Sequence, residues 1–194
     1  VIAGVLLAAG RSSRFGADKL LAPLGGRPVV RWSAESLLGE VEELYVVVPA
    51  GAAALRDSLS GLHVHFVENA MAAEGMASSI RAGVAALPPR IAGAFVALGD
   101  QPLVPREVLH ALRLRWEEGG ADAVAPSYRD GRGNPVLFDR ALFGALATLS
   151  GDAGARRMLD ALGERLALVP VDAPMPVDVD TPDALRALGE TRTG

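Results

Sequence analysis

The one lysine among the nineteen Lys and Arg residues of this chain is Lys19, and it closes the Gly- and Ser-rich stretch RSSRFGADK that follows the apolar run VIAGVLLAAG. A compact ammonium on a flexible stem differs physically from a planar guanidinium fork. A chain that writes Arg everywhere else and Lys here marks a place where a point charge is wanted, and phosphate binding is the chemistry indicated. Small residues leave backbone N–H groups open to an anion, Arg11, Arg14 and Lys19 add positive charge, and the following helix or turn adds its dipole. Neither G-x-x-x-x-G-K-[ST] nor G-x-G-x-x-G can be written through Gly10 and Gly16, which argues against an ordinary ATPase or dinucleotide oxidoreductase. Taken alone, the loop also admits a plainer reading as a solvated basic turn after a core strand.

Two acidic segments complement it. The apolar run GAFVAL ends in Gly99 and Asp100 before Gln101 and Pro102. A carboxylate at a strand end beside bound phosphate suits Mg²⁺, which takes one or two carboxylates together with water and phosphate oxygens. The competing role for Asp100 is to cap a helix starting near Pro105. In PVDVDTPDAL, Asp178 and Asp180 stand two apart, so an extended backbone turns both the same way and either could reach a metal held by Asp100. Asp180 or Thr181 could instead be the N-cap of the helix that follows.

Other segments offer weaker signals. ENAMAAEGMASSIRAG places Gly75, Met76, Ser78 and Ser79 at a helix entrance, with hydroxyls and N–H groups for an anion. RDGRGNPVLF reads as a turn from Asp130 to Gly133 feeding an extended run, and SGDAGARRML as another Gly-punctuated helix start. His63 and His65 alternate on a strand without acidic neighbours at ligand spacing, which argues against a metal pair. Trp32 and Trp116 read as packing residues.

Continuous apolar runs within residues 1–9, 43–50, 63–68, 93–100, 122–128 and 165–172 predict buried strands. Helical spacing is found around 28–39, 50–59, 76–87, 105–118, 139–147, 152–163 and 181–188. This alternation predicts an α/β fold with a largely parallel sheet, whose ligands gather beyond the carboxyl ends of the strands. With 194 residues, 50% of them hydrophobic, a single domain over 1–194 is expected. The net charge of −4 and the lack of a long basic block argue against a nucleic-acid partner. The absence of cysteine removes thiolate nucleophiles and disulfides and fits a cytoplasmic setting. The apolar opening is too short to span a bilayer, so neither a membrane anchor nor a signal peptide is expected of it.

LAAGRSSRFGADK, EGMASSI, GDQP, RGNPVLF, SGDAGAR and DVDTPDAL, in this order and over nearly the whole chain, resemble the molybdenum cofactor cytidylyltransferase family of MobA-like nucleotidyltransferases. The first motif is shared with sugar-nucleotide pyrophosphorylases and with the cytidylyltransferase of isoprenoid synthesis; the set of six is more specific. The resemblance implies a Rossmann-like three-layer α/β/α fold, Mg²⁺ dependence, and transfer of CMP from CTP to the terminal phosphate of the molybdenum-bearing pterin. It implies catalytic roles for Arg14, Lys19 and Asp100, with Asp100 on the metal, to which the spacing of DVDT adds Asp180 as the second candidate ligand. The nucleotide would lie against Leu7, Ala8, Ala9, Gly10, Arg11, Ser12, Ser13, Gly16, Lys19, Gly75, Met76 and Ser79. The acceptor would lie against Ser78, Gly133, Asn134, Pro135 and Asp152. Asn134 stands where many relatives carry His, and Phe15 where Met is commoner. A xanthine dehydrogenase or aldehyde oxidoreductase type of molybdoenzyme is the implied recipient of the product.

Guanylyl-transferring relatives usually carry LAGG where this chain has Leu7-Ala8-Ala9-Gly10. The extra methyl at Ala9 narrows the site toward a pyrimidine, and a methyl of this kind supports ~10–200-fold discrimination. A guanylyltransferase, a cytidylyl- or uridylyltransferase for another phosphorylated acceptor, and a non-catalytic nucleotide-binding or cofactor-delivery module are the alternatives.

Overall fold

The computed structural model describes residues 1–10, 18–151 and 154–191. Its strands are β1 (Ile2–Leu7), β2 (Pro23–Leu24), β3 (Arg27–Pro28), β4 (Glu43–Pro49), β5 (His65–Asn69), β6 (Gly93–Leu98), β7 (Ala123–Tyr128), β8 (Gly131–Arg132), β9 (Val136–Asp139) and β10 (Leu166–Pro170). Its α-helices are α1 (Val29–Leu38), α2 (Ala53–Ser58), α3 (Met76–Ala85), α4 (Arg106–Glu117), α5 (Phe143–Leu146), α6 (Arg156–Ala161) and α7 (Pro182–Thr191). Among the described residues eight strands form one sheet in the order β10-β7-β9-β6-β1-β4-β5, with β8 beside β7, while β2 and β3 pair separately. β1 runs parallel to β4 and β6, β4 to β5, and β7 to β10; β9 runs antiparallel to its neighbours β6 and β7, and the short β8 antiparallel to β7.

The six apolar runs all become strands. β9 is the extended run expected after the turn at Asp130–Gly133, but it does not count among the six apolar runs because VLFD is too short a pattern, and its direction depends on where that turn leads. The segment expected to be helical over 139–147 is broken into a 3₁₀ turn at Arg140–Leu142 and the short α5.

Every residue of β1 is buried, as its unbroken apolar sequence requires for a strand covered on both faces. Ile2 and Leu6 point into one core with α1 and α4, whereas Val5 and Leu7 point into a second with α3 and α5. α3 lies so close to β1 that a Cβ on Gly83 would collide with the Val5 side chain. Among the described residues no helix is long and apolar enough to cross a membrane.

At the opposite end of the sheet from the strands' carboxyl termini, α1 and α4 are tied through Glu40, which is 8% exposed. Its carboxylate accepts from Arg106 Nε at 2.9 Å and lies 3.1 Å from His110 Nδ1. Burial works to raise the Glu40 pKa, but these partners hold it below the ordinary glutamate value. A lowered pKa in the folded state means stability that is present above the unfolded carboxylate range and lost as pH falls through the folded value. Glu40→Gln is therefore expected to cost about 1–3 kcal/mol at neutral pH, with the difference from the parent shrinking in acid. Urea denaturation across pH 3–7 checks this.

Candidate active site

Parallel pairing of β1 with β6 places Leu7 opposite Leu98, so the segments that follow the two strands leave the sheet side by side. The Gly99 N–H donates to the Leu7 carbonyl at 3.0 Å and continues the ladder beyond both strands. The Ser33 hydroxyl of α1 donates to the Gly99 carbonyl at 3.0 Å. Asp100 is thus set on a backbone fixed from two sides. Val179 supplies a third restraint: its side chain is fully buried and its N–H donates to the Asp100 carbonyl at 2.9 Å. That anchor brings Asp178 and Asp180 from the far end of the chain to the end of β6.

Lys19 joins the two acidic segments. Its Nζ lies 2.6 Å from Asp100 Oδ2 and 2.7 Å from Asp180 Oδ1. The Lys19 side chain is 11% exposed, against 51% for Asp180, so the ammonium sits under the mouth of the site. Burial lowers its proton affinity, but the hydrogen bonds it donates to Asp100 and Asp180, with their charges, outweigh that and raise its pKa above the ordinary lysine value. It remains protonated throughout the neutral range.

The capping alternatives are resolved by geometry. The cap of α4 is Pro105, without a side-chain bond, so Asp100 does not cap that helix. Thr181 Oγ1 accepts from the Ala184 N–H at 3.1 Å, which makes Thr181 the cap of α7 and leaves the Asp180 carboxylate to Lys19. Asp178 does not share the cation as closely. It accepts from Gln101 Nε2 at 2.7 Å, and its pKa is raised by burial, with the charges of Asp100 and Asp180 acting in the same direction.

A cleft of about 390 Å³ opens over this cluster, lined by Leu7, Ala9, Gly10, Lys19, Gly75, Met76, Ser79 and Asp100 among others. Its far wall is the entrance to α3. Gly75 there adopts φ 94°, in the region that favours glycine. A buried Asn69 at the end of β5 holds the segment together: its Nδ2 donates to the Ser78 and Ser79 hydroxyls at 2.8 and 3.0 Å, and its Oδ1 accepts from the Met71 N–H at 2.9 Å. The sequence reading passed over Asn69. An Asn at a strand end before a Ser-Ser helix start was the available signal.

A second cleft of about 440 Å³ adjoins the first and shares Leu7, Met76 and Leu98 with it. Gly133 and Asn134 line it, as do Arg132 and Arg156, neither of which had been singled out. Gly133 lies flat against Tyr128, where a Cβ would come within 2.7 Å of the ring, and the Tyr128 hydroxyl donates to the Asn134 carbonyl at 3.3 Å. Burial pushes the Tyr128 pKa up to about 12, so this donor stays protonated.

Ala8, Ser78 and Pro135 line neither cleft. Ala8 points into the core on the α1 side because side chains alternate along an extended segment, whereas Leu7 and Ala9 face the cleft. Ser78 is buried, accepts from Asn69 and donates to the Gly75 carbonyl at 2.8 Å, so its hydroxyl serves the fold and does not face the acceptor side. Pro135 lies with Ser33, Leu37 and Val104 on the other side of the sheet. Arg11, Ser12, Ser13, Arg14, Gly16 and Asp152 fall outside the described residues. Among the described residues no group of three or more His, Cys, Asp or Glu side chains could hold a metal, and His65 instead stacks on Tyr45 with ring centroids 4.8 Å apart.

Residues 4–169 match the family described as the MobA-like NTP transferase domain. The chain belongs to that family. A protein named nicotine blue oxidoreductase from Paenarthrobacter nicotinovorans is 37% identical over 166 residues, which cover 81% of each chain. A probable molybdenum cofactor guanylyltransferase from Haloferax mediterranei is 37% identical over 130 residues, covering 64% of this chain and 59% of the relative. Among solved structures, Rv0371c of Mycobacterium tuberculosis H37Rv superposes with a TM-score of 0.86 at 33% identity over 97% of both chains. Its complex with manganese gives 0.80 at 32% identity over 98% of both. As a MobA-like protein the chain is a nucleotidyltransferase, and its mixed, mostly parallel sheet with flanking helices is the Rossmann-like fold of these neighbours. Nucleotidyltransferases of this family use divalent metals.

Asn69→Ala would leave two serine hydroxyls and the Met71 N–H short of a partner beside the cleft. It is expected to cost about 1–3 kcal/mol in stability and to raise the nucleotide KM more than it lowers kcat. Urea denaturation and steady-state kinetics measure the two effects.

Proposed function

We propose that this MobA-like enzyme, acting as a single domain, transfers CMP from CTP to the terminal phosphate of molybdenum-bearing molybdopterin and releases pyrophosphate. The observation that carries this reading is the pair of adjoining clefts with one shared wall. One is lined by Lys19, Asp100 and Asp178, with Asp180 bonded to Lys19, and the other is lined by Arg132 and Arg156. Such an arrangement suits two anionic reactants whose reacting ends must meet.

Asp100 and Asp180 offer hard oxygen donors that converge on a single cation, which fits the preference of Mg²⁺ for one or two carboxylates with phosphate oxygens completing its shell. Bound there, Mg²⁺ would offset the negative charge that develops on the departing pyrophosphate. The remaining work belongs to the chain. The acceptor phosphate has a second pKa of roughly 6 and is already a dianion at neutral pH, so it attacks phosphorus without losing a proton and needs no general base. Lys19, and Arg14 from the loop, neutralise the triphosphate, while the α3 entrance at Gly75, Met76 and Ser79 holds the nucleoside end. Gly133, Asn134 and the nearby Arg132 and Arg156 take the acceptor. Catalysis rests on positioning and fixed charge.

The Ala9 methyl at the cleft supports CTP. A guanylyltransferase reading is favoured in turn by the relative from Haloferax mediterranei. Pyrophosphate release with Mg²⁺ and molybdenum-loaded pterin, compared across CTP, GTP, UTP and ATP, decides between them. Acceptor-dependent release strongest with CTP supports the proposal, equal or greater use of GTP replaces it with guanylyl transfer, and release only with a sugar phosphate assigns a different acceptor. Binding of CTP without any release supports a delivery module.

Three outcomes are expected if the reading is right. Lys19→Ala or Asp100→Ala should lower kcat by about 10²–10³-fold at saturating Mg²⁺, measured by pyrophosphate release. Ala9→Gly should lower the CTP over GTP ratio of kcat/KM by up to ~10–200-fold. The kcat/KM for the acceptor should fall below about pH 6 as its phosphate takes up a proton.

A further inference from the structure

The ammonium of Lys19 stands where both carboxylates aim, 2.6 Å from Asp100 Oδ2 and 2.7 Å from Asp180 Oδ1. A divalent cation held by the same two oxygens would approach them more closely still, to about 2.0–2.1 Å for Mg²⁺. The two cations cannot occupy that place together. We propose that Lys19 and the divalent cation are alternative occupants of the Asp100–Asp180 pair, so that the site discriminates against the free cation and takes its substrate as a metal–nucleoside triphosphate complex. This inference rests on the nucleotidyltransferase reading of the Asp100 and Asp180 pair.

Three features carry it. First, the lysine stem is long and flexible, so the ammonium can swing from the carboxylates onto phosphate oxygens entering the same cleft, which Lys19 itself lines. An arginine fork in a bidentate grip on a carboxylate would give up more geometry on leaving. Second, the carboxylates do not depend on Lys19 for their position. Asp100 is fixed by the Gly99 bond to the Leu7 carbonyl, by Ser33 on the Gly99 carbonyl and by the Val179 N–H on its own carbonyl. Asp180 is fixed by buried Val179 before it and the Thr181 cap after it. Removing the ammonium therefore uncovers a standing pair. Third, the exchange keeps charge compensated at each stage: the metal replaces the ammonium on the carboxylates, and the phosphates replace the carboxylates around the ammonium. Neither ligand alone completes the exchange, so metal and nucleotide must favour each other's binding, and by linkage the factor is the same in both directions.

The test is titration of Mn²⁺ alone, CTP alone and Mn²⁺ with CTP into the purified full chain, following bound Mn²⁺ by electron paramagnetic resonance and correcting for the Mn²⁺–CTP complex in solution. The wild type is compared with Lys19→Met, which keeps the stem without the charge, and Lys19→Gln. Both variants should bind Mn²⁺ alone more tightly than the wild type, by about 5-fold or more, and Mn²⁺ with CTP more weakly. In the wild type, CTP should tighten Mn²⁺ and Mn²⁺ should tighten CTP by one common factor within about 5–150-fold, a factor that shrinks in the variants. A lysine with a merely structural role would lose both kinds of binding together. Folded variants that bind Mn²⁺ alone no more tightly than the wild type would overturn the inference, as would a wild type whose Mn²⁺ affinity is indifferent to CTP. Failure of the cytidylyl reading looks different: pyrophosphate release from CTP is absent while the Mn²⁺ difference between wild type and variants persists.

Discussion

The parallel register of β1 on β6 is the constraint from which the rest of the site follows. With Leu7 opposite Leu98, the described residues that follow the two strands, up to Gly10 and Asp100, leave the sheet at the same level. β1 is held in that register because both of its faces are buried. Ile2 and Leu6 fill one core and Val5 and Leu7 the other, so a slip of one residue would exchange the two sets against neighbours shaped for the opposite ones. The same alternation continues past the strand end, which is why Ala9 faces the cleft and Ala8 does not. A specificity argument built on Ala9 is therefore also an argument about strand register.

The second constraint is long in sequence and short in space. Asp180 meets Lys19 across 161 residues of chain. What carries it there is not its charge but Val179, which is fully buried and hydrogen-bonded through its backbone to Asp100. A pair of carboxylates this close would repel unless a cation lay between them, and Lys19 supplies one. The aliphatic burial sets the approach, and the ammonium offsets the charge. Elsewhere the chain uses Arg in a different manner, as a fork reaching two elements at once: Arg113 donates to the Glu40 carbonyl, to Glu42 and to Glu117. The division of labour between the two cation types follows their shapes.

Much of this was legible in the chain itself. The apolar runs marked the strands because a strand covered on both faces needs no alternation, and Lys19 stood out because it was the one residue of its type. Asp100 and Asp180 could be paired on chemical grounds. Their joint hold on Lys19 could not, because it depends on the Val179 anchor, a tertiary contact with no local signature. Ser78 was misjudged because a hydroxyl at a helix start looks the same in sequence whether it faces a ligand or a buried amide, and the deciding partner, Asn69, lies on another element. Arg132 and Arg156 were missed for a related reason. Arg132 ends β8 and Arg156 opens α6, and only the placement of β9 between β6 and β7 brings those elements to one cleft.

The two clefts raise a physical question that the wall between them answers. A triphosphate and a phosphate monoester repel, and the repulsion is greatest where their reacting ends approach. Each cleft has basic residues among its lining, Lys19 in one and Arg132 and Arg156 in the other, while the residues common to both are Leu7, Met76 and Leu98. On the proposed reading the compensating charges lie away from this shared floor, and the floor itself is apolar. A charged residue there would bind one reactant in the ground state as well as in the transition state, and uniform binding of that kind does not speed the chemical step. An apolar floor with cations to either side favours the arrangement in which charge moves from the acceptor toward the pyrophosphate, because it lowers the local dielectric and strengthens the pull of the fixed cations on the migrating charge.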